Sequence, residues 1–231
     1  MLFLKWLPAA ALPPLLLAAL PAAAAAQSPF HLSANAGLVS DYRFRGISLS
    51  NRNPALQGGI DVETDFGLFA GTWASSIAEY GGAHVELDAY GGYKGSVAGT
   101  RVAVTAYAYF YPGAGGLNYV EFQATGERDL GPVTLGVEAS FSPRQANVVT
   151  ANTYFGVSAA MEIPGTGVTA TVRGGHEDGF FDDKWDWELR AAYTLGPVTG
   201  SIAYVDSDYG GAQQAGRLGR GGVVASLLAE F

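Results

Sequence analysis

From residue 32 to residue 231 apolar and polar side chains take turns, and the alternation stops and restarts to give twelve segments. Successive side chains leave a β-strand on opposite sides, so a period of two is the mark of a strand with one apolar and one polar face. In the fifth segment Val102, Val104, Ala106, Ala108 and Phe110 share one face, and Arg101, Thr105, Tyr107 and Tyr109 share the other. In the tenth, Trp185, Trp187, Leu189, Ala191 and Tyr193 oppose Asp186, Glu188, Arg190 and Thr194. The segments start near 32, 55, 67, 84, 100, 118, 132, 151, 167, 184, 197 and 220, and the chain is all-β. The first is expected to run from Leu32 to Arg45, with Leu38, Tyr42 and Phe44 on its apolar face.

The breaks between segments alternate in length. Those after even-numbered segments are tight, at Asp65-Phe66-Gly67, Gly95 to Gly99, Asp129-Leu130-Gly131-Pro132, Pro164 to Gly167 and Leu195-Gly196-Pro197. Those after odd-numbered segments are expected to be longer, including Gly175 to Asp183 and Asp206 to Gly219. An even number of strands with short turns at one end and long loops at the other is the plan of a transmembrane antiparallel up-and-down β-barrel. A soluble sandwich also alternates, but it buries its apolar face and has polar strand ends. Here Arg43, Asp61, Glu63, Glu86, Asp88 and Arg190 stand in mid-segment on the polar face, while aromatics gather near the ends of the apolar one. Two aromatic girdles at the two faces of a membrane account for that placement.

Residues 1–26 read as a secretory signal peptide. Lys5 supplies the positive start, Leu7 to Leu20 the apolar stretch and Ala22 to Ala26 the small residues for cleavage before Gln27. An uncleaved anchor is the alternative, although Pro8, Pro13, Pro14 and Pro21 interrupt the span. Beyond it no apolar stretch approaches the roughly 18 residues a membrane helix needs. The division is therefore a leader over 1–26 and a barrel over 27–231. Cys is absent, which excludes disulfides and thiolate metal sites, and a formal net charge of −8 makes a poor nucleic-acid partner.

Three stretches carry a resemblance: Val39-Ser40-Asp41-Tyr42-Arg43-Phe44-Arg45-Gly46-Ile47-Ser48, Pro54-Ala55-Leu56-Gln57-Gly58-Gly59-Ile60-Asp61 and Gly71-Thr72-Trp73-Ala74-Ser75-Ser76. Together they resemble the TorF, or Gcw_chp, family of proteobacterial proteins described as porins, with Leu49 and Ser76 standing where Gln and Asn are common. The resemblance implies a barrel in the bacterial outer membrane and implies no particular solute. The final alternating strand, Val223-x-Ala225-x-Leu227-x-Ala229-x-Phe231, is similar to the assembly signal of outer-membrane barrels, with Phe231 as its last residue. Expected partners are outer-membrane lipid and lipopolysaccharide, the barrel-assembly machinery and small polar solutes.

Alternation assigns a lumen-facing set: Asp41, Arg43, Arg45, Gln57, Asp61, Glu63, Glu86, Asp88, Arg101, Glu121, Glu138, Arg173, Asp186, Glu188 and Arg190. Carboxylates outnumber guanidinium groups, which predicts a channel for passive diffusion of small polar solutes with a mild cation preference. Asp61 and Glu63 are expected to face Arg43 and Arg45 from the neighbouring strand and to form the filter. Twelve strands spaced about 4.8 Å and tilted about 40° give a backbone radius of roughly 12 Å, narrow enough for side chains to close the passage. A closed structural or surface-interaction barrel is the alternative reading. A lipid-modifying enzyme is a further one, but it needs a Ser, His and acid together, and only His31, His84 and His176 are present. His176, Glu177, Asp178, Asp182 and Asp183 are expected to form a solvated acidic loop rather than a metal site, and no cofactor is implied.

Overall fold

A computed structural model describes residues 29–231, and the expected signal peptide lies outside them. The strands are β1 (Phe30–Val39), β2 (Arg43–Phe44), β3 (Ile47–Ser48), β4 (Ala55–Thr64), β5 (Leu68–Tyr80), β6 (Ala83–Val97), β7 (Thr100–Phe110) and β8 (Tyr119–Leu130). They continue as β9 (Val133–Ser142), β10 (Asn152–Ile163), β11 (Val168–Asp178), β12 (Lys184–Leu195), β13 (Val198–Ser207) and β14 (Gly222–Glu230). β1 and β4 to β14 form a closed twelve-stranded antiparallel barrel, and β2 pairs only with β3.

Closure follows from solvent. In hydrocarbon every backbone N–H and C=O needs an internal partner, and only a sheet without edges supplies them all. The seam is β1 on β14, where Asn35 to Val39 pair with Glu230 to Ser226. Two further bonds extend it: Phe231 N–H donates to the Ala34 carbonyl (2.8 Å), and Ala34 N–H donates to that of Phe231 (3.1 Å). Apolar side chains cover the outer wall, with Leu32 76% and Leu189 62% exposed, so the wall is built for lipid. Exposed aromatics form two rings, with Phe30, Phe66, Tyr93 and Tyr193 at the short-turn end and Tyr80, Phe110, Phe155 and Trp185 at the other. Among the described residues no helix is long and apolar enough to cross a membrane.

Three expectations about connections are corrected. The first strand stops at Val39 rather than Arg45, because Ser40 N–H still bonds to Ala225 O whereas Tyr42 N–H turns to Ser50 Oγ. The chain then folds inward, so Tyr42 and Phe44 face Trp73 and Tyr109 instead of lipid. The connection after the third barrel strand is not long: it is Gly81-Gly82, with φ of 58° and 96°, the positive pair that a tight two-residue hairpin demands. The ninth segment continues as strand through Asp178, so His176 and Glu177 are wall residues and not loop residues.

Candidate functional site

The site is the lumen, and its centre is the segment between β1 and β4. Its hairpin β2–β3 turns at Arg45 and Gly46, with φ of 45° and 84°. A Cβ on Gly46 would lie 2.8 Å from Ser207 Cβ and 3.0 Å from Asp186 Cβ, so glycine is needed both for the left-handed backbone and for the close approach to the wall.

Groups along the segment reach different parts of the wall, and Asp41 ties the segment to itself. Asp41 accepts from Arg43 Nε (2.7 Å) and Ser48 Oγ (2.5 Å), which holds the hairpin to its own stem. Arg43 Nη1 donates to Arg220 O (2.9 Å) and Gly46 O (3.2 Å). Tyr42 donates to Glu86 Oε1 (2.7 Å), and Tyr111 to Glu86 Oε2 (3.0 Å). Leu49 O accepts from Ala78 N–H (2.9 Å), at the irregular stretch of β5 where pairing with β6 breaks between Ser76 and Tyr80. The bulge thus frees a donor for the inward segment. Arg52 donates to the carbonyls of Arg217, Arg220 and Gly221, joining the segment to the loop before β14.

Arg45 is the innermost contact. Its Nη1 donates to Glu121 Oε2 (3.0 Å) and Glu177 Oε1 (2.9 Å), and its Nη2 donates to Glu121 Oε1 (2.8 Å). Glu138 Oε1 lies 3.9 Å from Nη2. The guanidinium carbon is 4.6 Å from the centre of the Phe44 ring and 4.3 Å from that of Tyr154. The Arg45 side chain is only 2% exposed. Burial disfavours its charge, but Glu121 and Glu177 outweigh burial and hold the guanidinium above its ordinary pKa. Glu177 is shared further, with Lys184 Nζ and with Asn152 Nδ2 (3.0 Å).

Below this level the wall opens. Glu138 receives Arg173 (3.1 Å) and Gln123 (3.0 Å), Arg190 Nε reaches Glu188 (2.6 Å), and these groups are partly exposed. At the short-turn end a cavity of about 750 Å³ is lined by His31, Glu63, Lys94, Arg101 and Glu127 among others. The lumen is therefore closed in its long-loop half and accessible in its short-turn half.

The expected lumen set falls on inward positions. Gln57, Asp61 and Glu63 lie on β4, Glu86 and Asp88 on β6, Arg101 on β7, Glu121 on β8, Glu138 on β9, Arg173 on β11, and Asp186, Glu188 and Arg190 on β12. Asp41, Arg43 and Arg45 lie inside too, but on the folded-in segment rather than on a strand. The expected facing of Asp61 and Glu63 with Arg43 and Arg45 does not occur. Asp61 accepts from Tyr90 OH (2.5 Å) and Glu63 pairs with Lys94 (2.5 Å), because the second half of β4 runs towards the short-turn end while the hairpin sits at the other. Alternation continued to Glu177, Lys184, Glu127 and Asp129 would have added them to the set. The expected loop over Gly175 to Asp183 takes in Glu177, which stands on β11, and Lys184 is the first residue of β12. His176 packs its ring 4.5 Å from that of Trp185 and lies 3.3 Å from Asp183 Oδ1, whereas Glu177 turns to Arg45 and Lys184, so the acidic-loop residues divide between two places. The stretches that carry the sequence resemblance meet here: Tyr42 lies edge-on to Trp73 at 5.4 Å, and Ala55 and Ser75 are each only 1% exposed.

Fold and lumen define the chain as a closed antiparallel β-barrel with a lipid-facing exterior and a charged interior. The family of bacterial proteins of unknown function termed Gcw_chp matches residues 23–228, and the chain belongs to it. No curated protein matches the sequence. Among solved structures the chain is similar to the KdgM porin, with a TM-score of 0.59 at 7% identity over 86% of this chain and 99% of that one. The KdgM porin in complex with disordered oligogalacturonate gives 0.58 at 7% identity, over 87% and 98%. The NanC porin gives 0.57 at 11% identity, over 87% and 99%. At these identities the likeness is one of fold.

Proposed function

We propose that this chain is a bacterial outer-membrane channel of the porin type, in the sense of the TorF description, which passes small polar solutes by diffusion and prefers cations. The observation that carries the reading is the lumen: an accessible charged vestibule lies at the short-turn end, and the inward connection over residues 40–54, packed at Tyr42 against Val39, Ala55, Ala203, Val205 and Val224, stands between it and the long-loop side. A wall this rich in carboxylates concentrates cations where water is scarce. The full-length likeness to KdgM and NanC supports the same class. The short-turn end, with both termini, would face the periplasm, and barrel-assembly machinery and lipopolysaccharide would be its partners during and after insertion.

The reading is non-enzymatic, in keeping with the likeness to porins. The contacts of His31 with Asp65 (2.6 Å) and of His176 with Asp183 (3.3 Å) pair each ring with an acid and bring no serine to it among the described hydrogen bonds. The alternative of a closed structural barrel draws on the burial of Arg45 and Glu121, which describes a closed resting state. Planar-bilayer recording of the refolded protein separates the two. Discrete current steps with a cation-selective reversal potential support the channel. A bilayer that stays silent with the wild-type protein and with hairpin variants would reduce the barrel to a structural one.

A further inference from the structure

The pocket that holds Arg45 is shaped as a receptor for the two terminal nitrogens of a guanidinium group, and the group in it belongs to the chain itself. Glu121 presents both carboxylate oxygens to the two terminal nitrogens, Glu177 adds a third acceptor, and the Tyr154 ring lies against the cation face. A fork-to-fork carboxylate contact with an aromatic platform selects a planar guanidinium over a compact ammonium. The pocket walls come from β8, β9, β10 and β11, whereas its occupant comes from the connection after β1.

Two features distinguish this arrangement from a closed internal salt bridge. Arg45 Nε and the nearby Asp186 Oδ2 are buried and lack a hydrogen-bond partner among the described residues. The link between them is Tyr154, whose ring flanks Arg45 and whose hydroxyl lies 3.4 Å from Asp186 Oδ1. The occupant is also held in a left-handed backbone conformation that non-glycine residues adopt rarely. If the hairpin left, the wall would keep Glu121, Glu177 and Glu138 around the space, with Lys184 and Arg173 to oppose them. An incoming cation of the same shape would then restore the lost charge and the lost stacking.

We propose that the Glu121–Glu177–Tyr154 pocket is a binding site for guanidino solutes in the pore, occupied at rest by Arg45, and that such solutes compete with Arg45 for it. The proposal rests on the channel reading and names the solute class that its constriction takes.

The test uses methylguanidinium chloride against tetramethylammonium chloride at equal ionic strength. With wild-type protein in a bilayer, millimolar methylguanidinium on the short-turn side, from which the lumen is accessible, should raise the open probability, and tetramethylammonium should not. Arg45→Ala leaves the pocket empty, so methylguanidinium should raise its thermal-unfolding midpoint in detergent and block its current. Glu121→Gln in the same background should weaken both effects about tenfold. Should Arg45→Ala fail to refold, Arg45→Lys keeps a charge without the fork, and its opening should require less methylguanidinium than wild type. A wild-type response identical for the two cations, or midpoint shifts unaffected by Glu121→Gln, overturns the proposal. Midpoint shifts do not depend on conduction. A barrel that binds methylguanidinium yet never conducts would therefore sink the channel reading and leave the binding pocket standing as an internal receptor.

Discussion

The guanidinium of Arg45 grips the carboxylate of Glu121 with both terminal nitrogens, at 2.8 and 3.0 Å, across 76 residues of sequence and with both side chains 2% exposed. A buried pair of this kind is destabilised far more by losing one partner than by losing both, since the survivor is an uncompensated charge. Glu121→Leu alone should therefore cost about 3 to 5 kcal/mol, and Arg45→Met combined with Glu121→Leu clearly less. Glu177 moderates the single change by still pairing with Arg45. Denaturant unfolding in micelles, read by the loss of heat-modifiable migration, checks the order of the two variants.

Gly46 should be the most sensitive turn position of the hairpin. Alanine there meets both an unfavourable φ and Ser207 Cβ at 2.8 Å, so the hairpin must move. Gly46→Ala is expected to raise the channel's open probability in planar bilayers while the barrel strands keep their far-ultraviolet circular dichroism. A current trace indistinguishable from wild type would show that the hairpin does not gate.

The two faces of one strand pair give opposite expectations for a charge. Val104 is 57% exposed on the outer wall, and arginine there should cost about 2 to 4 kcal/mol if it lies near the membrane midplane. Thr125 on β8 points inward and pairs across to Glu138, so arginine at 125 should be tolerated. Unfolding midpoints of the two variants decide it, and equal losses would refute the assignment of faces.

Selectivity should follow the accessible carboxylates. Asp61 and Glu63 line the open half of the lumen rather than the closure, so Asp61→Asn with Glu63→Gln should move the reversal potential in a salt gradient towards anions without opening the hairpin. An unchanged reversal potential would place the selective step elsewhere, at the level of Glu121 and Glu138.

The seam between β1 and β14 has the shortest pairing in the barrel, and Phe231 extends it through two backbone bonds to Ala34. Deleting Phe231 should lower the yield of heat-modifiable barrel in the outer-membrane fraction and raise periplasmic degradation. Quantitative blotting of fractionated cells measures both.

Much of the lumen was legible because a strand offers only two directions. Once Val104 faces lipid, Thr105 and Tyr107 must face inward, and the same parity places Glu86, Glu121, Glu138 and Glu188 inside without knowledge of any contact. The reading failed where parity did not apply. Tyr42 and Phe44 continued the apolar alternation of Leu32 and Leu38, yet their partners are Trp73 and Tyr109 inside the barrel. A hairpin that packs on an inner wall shows the same period as a strand that packs on lipid, so the sequence pattern does not separate them.

Strand number, the direction of each side chain on a strand and the need for closure are thus properties of the sequence by itself, because they arise from a two-residue period and from backbone groups that cannot stay unpaired in hydrocarbon. The pairing of Arg45 with Glu121 and Glu177, the bulge that frees Ala78 for Leu49 and the division of the lumen into a closed and an open half were decided by the tertiary structure alone. Curling twelve strands into a ring brings β1, β8 and β11 around one space. Which cation then meets which carboxylate depends on height and azimuth in that ring, quantities that local periodicity does not encode.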